Sequence, residues 1–220
     1  SCVGHPLLDE IGQESDSAEF RENCGLRTDL PLLAIAPGSR PSEMRKHLPT
    51  MLEALSEIEK KIGEFQCILP VAESLDFDEV RRKASSSPVH VAVVPGQFLE
   101  SVKASDAAVI ASGTASLQTG LALKPFVIVY RVSPLTYMIA RLLAETKYIG
   151  MVNVLADKEI VPELLQNKFT VSSITDYAVR LLQDNDYRGT MINELKKIGQ
   201  KLGEPGAYRR AAKCIEDFIN

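Results

Sequence analysis

From residue 31 onward, short unbroken apolar runs alternate with longer stretches whose apolar residues recur every three or four positions. No single motif constrains the fold as strongly as that alternation. A run such as LLAIA (32–36) has no polar residue to turn toward water, which suits a strand covered on both faces of a parallel sheet. FQCILP, VHVAVVPG, AAVIAS and FVIVY repeat the pattern along the chain. After the first run, Leu48, Met51, Leu52, Leu55, Ile58 and Ile62 put one apolar stripe on a helix. Pro49 argues for a start near residue 49, because proline is best tolerated in a first helical turn. Further helices are predicted over 77–84, around 97–104, over TASLQTGLAL, and from Pro134 through LTYMIARLLA. Residues 159–166, 174–184, 186–202 and 207–219 also read as helical and should close the domain. The expected class is therefore α/β, a mostly parallel sheet with helices on both faces. Residues 1–30 do not read as a domain of their own, and the start at Ser1 suggests a boundary inside a longer protein.

Composition narrows the function classes. With 45% hydrophobic and 25% charged residues, the 220-residue chain can bury a sizeable core. A formal net charge of -4 gives no support to a general nucleic-acid binder. No apolar stretch is long enough for a transmembrane helix, and the start lacks a basic-then-apolar secretory signal. Cys2, Cys24, Cys67 and Cys214 are widely spaced, as are His5, His47 and His90, so no metal-ligand set is expected.

Two strand-ending turns carry the clearest ligand chemistry. In Pro37-Gly38-Ser39-Arg40, followed by Glu43, glycine lets the backbone approach a ligand, Ser39 offers a hydroxyl and Arg40 offers donors to phosphate oxygens. The alternative is a strand-closing turn with one surface arginine. Ser112-Gly113-Thr114 follows the run AAVIA and precedes a helix whose first amides and positive end can receive a phosphate. Gln118, one turn further on, can reach a sugar or ribose hydroxyl; otherwise the hydroxyls are caps and Gln118 is merely exposed. Neither turn matches the Walker or the dinucleotide glycine fingerprint. Together, at strand ends of one domain, they favour a nucleotide-phosphate site.

Arg131 in YRVSP can neutralise a diphosphate or simply face solvent, and Asn153 can bond a ligand or its local backbone. Glu163 and Gln166 carry the same ambiguity. Ser112-Gly113-Thr114 is not G-x-S-x-G, no histidine is placed to activate a hydroxyl, and no carboxylate pair stands out. His5 could be a general base, but packing suits it as well. The residues describe a binding half more clearly than a catalytic set.

The order APGSRPSE, ASDAAVIASGTASLQ, KPFVIVYRVSP and VNVLADKEIVPELLQ resembles the C-terminal portion of lipid-A-disaccharide synthases. VGHPLLD resembles the segment that joins it to their N-terminal domain. The resemblance implies the C-terminal Rossmann-like half of a GT-B glycosyltransferase fold. It makes 1–30 a linker or N-terminal-domain remnant and 31–220 the UDP-sugar donor domain. The implied reaction joins UDP-2,3-diacylglucosamine to 2,3-diacylglucosamine 1-phosphate, with UDP released and no cofactor or metal needed. Gly38, Ser39 and Arg40 would meet the diphosphate, Ser112, Gly113, Thr114 and Gln118 the donor, and Arg131 and Asn153 would fall near the catalytic cleft. Relatives often carry glutamate where this chain has Gln118, which keeps hydrogen-bonding capacity but not charge. The resemblance also implies peripheral contact with the cytoplasmic face of the inner membrane; the apolar and basic stretch 132–147 permits either a membrane-facing amphipathic helix or a buried crossover helix. The sequence leaves self-association open. The resemblance places the catalytic carboxylate on the family's N-terminal domain, outside this chain. Another UDP-sugar transferase, a UDP-GlcNAc epimerase and a noncatalytic nucleotide-binding module are the competing accounts.

Overall fold

The computed structural model describes residues 3–12, 16–133 and 147–219. The five apolar runs form the strands β1 (Leu32–Ala36), β2 (Gln66–Val71), β3 (Val91–Pro95), β4 (Ala107–Ala111) and β5 (Phe126–Tyr130). A short sixth strand, β6 (Glu163–Leu165), joins them. All neighbours are parallel and the order is β3-β2-β1-β4-β5-β6. β1, β2 and β4 are buried along their whole length, as unbroken apolar runs require.

Between the strands lie α3 (Pro41–Ile62), α4 (Phe77–Ala84), α5 (Phe98–Ala104), α6 (Thr114–Leu121) and α7 (Met151–Ala156). Three helices follow β6: α8 (Val171–Gln183), α9 (Asn185–Lys201) and α10 (Ala207–Ile219). On one face α3 packs along α8 beneath β4 and β5; on the other, α5, α6, α7 and α9 form a contiguous layer. The segment before residue 30 holds α1 (Leu7–Ile11), against α6 and α10, and α2 (Ser17–Asn23), against α5. Arg21 of α2 ties this segment down by donating to the Ala104 and Leu30 carbonyls and pairing with Asp106.

Strand order reverses between β1 and β4. The chain leaves β1 toward β2 and leaves β4 toward β5, so a crevice opens at the carboxyl ends of these two strands. Their register pairs Leu33 with Ala107 and Ala36 with Ile110, which brings the turns after Ala36 and Ala111 side by side.

Two expectations are corrected. The helix after β1 begins at Pro41, two turns before Pro49, and runs through it. Pro41 is a favourable first residue, and the stripe already starts at buried Met44 and His47. Pro49 and Arg45, whose carbonyl loses its helical donor, lie on the exposed side, where water can replace the missing bond. Residues 159–166 are not a helix but a loop leading into β6, with a 3-10 turn over Gln166–Lys168. Pro162 biases Val161 away from helical backbone, and the Ile160 and Val161 N–H groups donate to Asn153 Oδ1 at 2.9 and 3.0 Å. The helices expected from Pro134 and over 132–147 lie almost wholly outside the described residues.

Candidate functional site

The crevice holds a cavity of about 450 Å³ bounded by the ends of four strands. The β1 turn supplies Gly38, Ser39 and Arg40, with Glu43 from the first turn of α3. Ser112, Gly113, Thr114 and Gln118 line the opposite wall. Pro70 and Ala72 come from the end of β2, and Gly96, Gln97 and Phe98 from the end of β3. All seven residues expected at a phosphate or donor site therefore meet around one space.

Gly38 has φ of +116°, and a Cβ there would collide with the Glu43 carboxylate and sit 2.7 Å from its Cβ. The turn is thus closed to any other residue in this conformation. Glu43 also accepts from the Arg40 N–H at 3.4 Å, the reciprocal half of a capping box, and pairs with the Arg40 guanidinium at 3.0 Å. The Arg40 side chain remains 75% exposed, so the guanidinium keeps donors for a ligand on its open side. Ser39 contributes its carbonyl to the Ser74 hydroxyl, which braces the turn from the neighbouring strand end.

Across the crevice, Gly113 has φ of +153° and ψ of -163°, a region left almost entirely to glycine. Nothing lies within 4 Å of where its side chain would stand, so backbone is what the cavity meets there. Ser116 folds its hydroxyl onto the Gly113 carbonyl at 2.7 Å, and Ser112 Oγ donates to Ile149 O at 3.4 Å. α6 then starts with no side-chain cap, so its first amides are available to an anion at the positive end of the helix. Arg40 is the sole lysine or arginine lining the cavity among the described residues.

Arg131 and Asn153 do not line this cavity. Asn153 is fully buried, and its amide is spent inside the protein. It donates to Val161 O at 2.7 Å and Glu163 Oε1 at 2.8 Å, and accepts from two backbone N–H groups. Glu163 also accepts from the N–H groups of Ile149 and Gly150, fixing the loop that Ser112 touches. Arg131 donates to the Phe169 carbonyl and, at 3.4 Å, to Gln166 O, and lies over the Phe169 ring at 4.7 Å. In this arrangement both residues organise the ends of β5 and β6 beside the cavity.

His47 went unnoticed in the sequence as part of the site. Its ring is buried behind the β1 turn, with Nδ1 2.7 Å from Pro37 O and Nε2 accepting from the Arg131 N–H at 2.9 Å. Burial lowers its pKa from the ordinary value near 6.5, partly opposed by the carbonyls of Pro37 and Arg131 and the Glu43 charge. A signal existed: His47 falls on the apolar stripe of α3, where a polar residue needs buried partners. Gly96, Gln97 and Phe98 were also missed, although VVPG ends a strand at the same edge of the sheet.

A family model described as lipid-A-disaccharide synthetase matches residues 1–218. The lipid-A-disaccharide synthase of Myxococcus xanthus is 38% identical over 217 residues, covering 99% of this chain and 57% of the relative. That of Syntrophus aciditrophicus is 39% identical over 213 residues, covering 96% of this chain and 56% of the relative. The chain thus spans a little over half the length of these curated relatives. Among solved structures, WaaG, a glycosyltransferase involved in lipopolysaccharide biosynthesis, aligns over 96% of this chain and 54% of its own, with TM-score 0.64 and 15% identity. Anabaena HepE, solved with UDP-glucose, aligns over 98% and 56%, with TM-score 0.61 and 12% identity. At such identities these likenesses speak for the fold, the Rossmann-like half of a GT-B glycosyltransferase. The sequence matches go further, and this chain belongs to the lipid-A-disaccharide synthase family.

Proposed function

We propose that these residues are the donor-binding half of a lipid A glycosyltransferase, and that the cavity receives the nucleoside diphosphate of UDP-2,3-diacylglucosamine. The observation that carries this reading is the meeting of the Gly38-Ser39-Arg40 and Ser112-Gly113-Thr114 turns around one cavity at the switch point. Backbone amides of the two turns and the start of α6 would cradle the phosphate oxygens, and Arg40 would supply the cation. Gln118 would hydrogen-bond a sugar or ribose hydroxyl.

In the full reaction, the 6-hydroxyl oxygen of 2,3-diacylglucosamine 1-phosphate attacks the anomeric carbon of the donor sugar. The bond from that carbon to the diphosphate breaks, its electron pair leaves with UDP, and the acceptor proton passes to a base. The charge that develops on the leaving diphosphate is what the amides and Arg40 stabilise. Among the described residues no carboxylate besides Glu43 lines the cavity, and Glu43 is engaged by Arg40. The base is therefore assigned to the part of the longer relatives that this chain does not cover. Arg131 and Asn153 act on the reaction by setting the strand ends beside the cleft. Residues 1–30 serve as the connection to that other part. Because both sugars carry acyl chains, the working enzyme would meet a lipid surface. Ile149, whose carbonyl accepts from Ser112, and Met151, two residues on, are both exposed and suit that surface.

Calorimetry with UDP tests the reading. The 220-residue chain is expected to bind UDP, Gly38→Ala to abolish binding, and the chain alone to form no disaccharide from the two sugars. A correctly folded chain that binds no UDP removes the donor-site assignment; disaccharide formation by the chain alone removes the assignment of the base.

A further inference from the structure

His47 invites the ordinary reading of a core histidine whose two nitrogens happen to be satisfied. Its partners say more. One is the carbonyl of Pro37, the residue immediately before Gly38; the other is the backbone of Arg131, just past β5, whose N–H donates to Nε2 at 2.9 Å while its carbonyl lies 3.3 Å from the same nitrogen. β1 and β5 are not neighbours, since β4 lies between them. The imidazole thus links the residues that directly follow two strands, β1 and β5, that the sheet itself does not join.

Because Nε2 accepts from an amide, the proton sits on Nδ1 and is donated to Pro37 O. The 37–38 peptide is planar and trans, so its carbonyl and N–H point in opposite directions. Holding the Pro37 oxygen toward the buried ring turns the Gly38 N–H away from it. That N–H makes no hydrogen bond among the described residues, and Gly38 lines the cavity. Around the ring, Phe169 stands edge-on at 5.5 Å and Tyr130 is tilted at 5.7 Å, which leaves the imidazole little freedom to rotate.

We propose that His47 is a positioning residue of the donor site: it pins the Pro37 carbonyl to the end of β5 and so aims the Gly38 amide at the donor's phosphate. The functional part rests on the nucleotide reading of the cavity, whereas the strut itself does not. His47 touches no substrate; it acts through the peptide between Pro37 and Gly38.

The two nitrogens can be tested separately. In His47→Asn the amide nitrogen can stand near the Nδ1 position and keep a donor on Pro37 O. In His47→Gln the polar end reaches the Nε2 position and loses the Pro37 bond. UDP affinity of the 220-residue chain is measured for both, beside thermal unfolding. His47→Gln is expected to weaken UDP binding about tenfold, the worth of one well-placed hydrogen bond, with His47→Asn within about threefold of the parent. Equal affinity in all three proteins, or equal loss in both variants, overturns the proposal. If the parent itself binds no UDP, the nucleotide reading fails and the strut is judged on its own. Amide resonances of Gly38, Ser39 and Arg40 then displaced in His47→Gln and restored in His47→Asn support it; resonances unchanged in both overturn it. Should His47→Gln not fold, the ring nitrogens of the parent decide: an Nδ1–H tautomer supports the strut, and an Nε2–H tautomer overturns it.

Discussion

Two polar clusters sit beside each other at the carboxyl edge of the sheet, and they use their hydrogen bonds in opposite ways. Around Asn153 every side-chain donor and acceptor is consumed within the protein, and the residue is fully buried. Around Gly38 and Gly113 the backbone is exposed to a cavity, α6 begins uncapped, and the arginine is three-quarters exposed. A satisfied cluster holds shape, whereas an open one waits for a ligand. Both contain residue types that a sequence reader would mark as functional, and burial is what tells them apart.

The contrast breaks most visibly at Asn153. Asn153→Ala leaves two backbone N–H groups and the Glu163 carboxylate without their partner, which should cost about 3 kcal/mol in urea unfolding. UDP affinity of the folded variant should stay within about threefold of the parent. A variant of normal stability that fails to bind UDP would show Asn153 to be a ligand residue after all. Arg40→Ala should behave conversely. Its ion pair with Glu43 is exposed, so stability should move by no more than about 0.5 kcal/mol, read from the same unfolding curves. UDP affinity should fall about tenfold or more, and an unchanged value would remove Arg40 from the diphosphate site.

The smallest effect concerns His47, which lies between the two clusters. Its folded pKa is lowered chiefly by burial; the carbonyls of Pro37 and Arg131 and the Glu43 charge favour the proton, while the Arg131 charge opposes it. The unfolded chain therefore takes up the proton first as pH falls. The His47 contribution should be intact above the ordinary histidine value near 6.5 and decline as pH drops from there to the folded pKa. Urea unfolding at pH 7.5 and pH 5.5 should show this component in the parent and not in His47→Asn. A pH response of the same size in both proteins would mean that other groups produce it.

The sheet was legible because burial on both faces leaves a local trace: LLAIA or FVIVY contains nothing to face water. The two cavity-lining turns were legible for a related reason, since glycine, hydroxyl and arginine residues directly after such a run have few structural uses. Pro49 misled because a proline's cost depends on which side of the helix loses its bond, and that side is set by packing. EIVPELLQ misled because its helical composition is overridden by Asn153, seven residues and more away, which takes up the amides of Ile160 and Val161. Arg131 and Asn153 were placed near the cleft by family likeness, which gives a neighbourhood without giving a direction. His47 was hidden because its partners lie 10 residues before it, at Pro37, and 84 residues after it, at Arg131, and meet only in the finished sheet.

The pairing of β1 with β4 has a consequence for how the molecule assembles. Residues 33–36 find residues 107–110 only after the chain between them has folded back, a long-range closure that is slow compared with forming any one helix. The two walls of the cavity belong to different halves of the sheet, so the pocket comes into being at the moment those halves dock. A nucleotide that binds there favours the docked state by mass action. Nucleotide capture during refolding would then serve as a clock for that docking, lagging behind helix formation and coinciding with completion of the sheet.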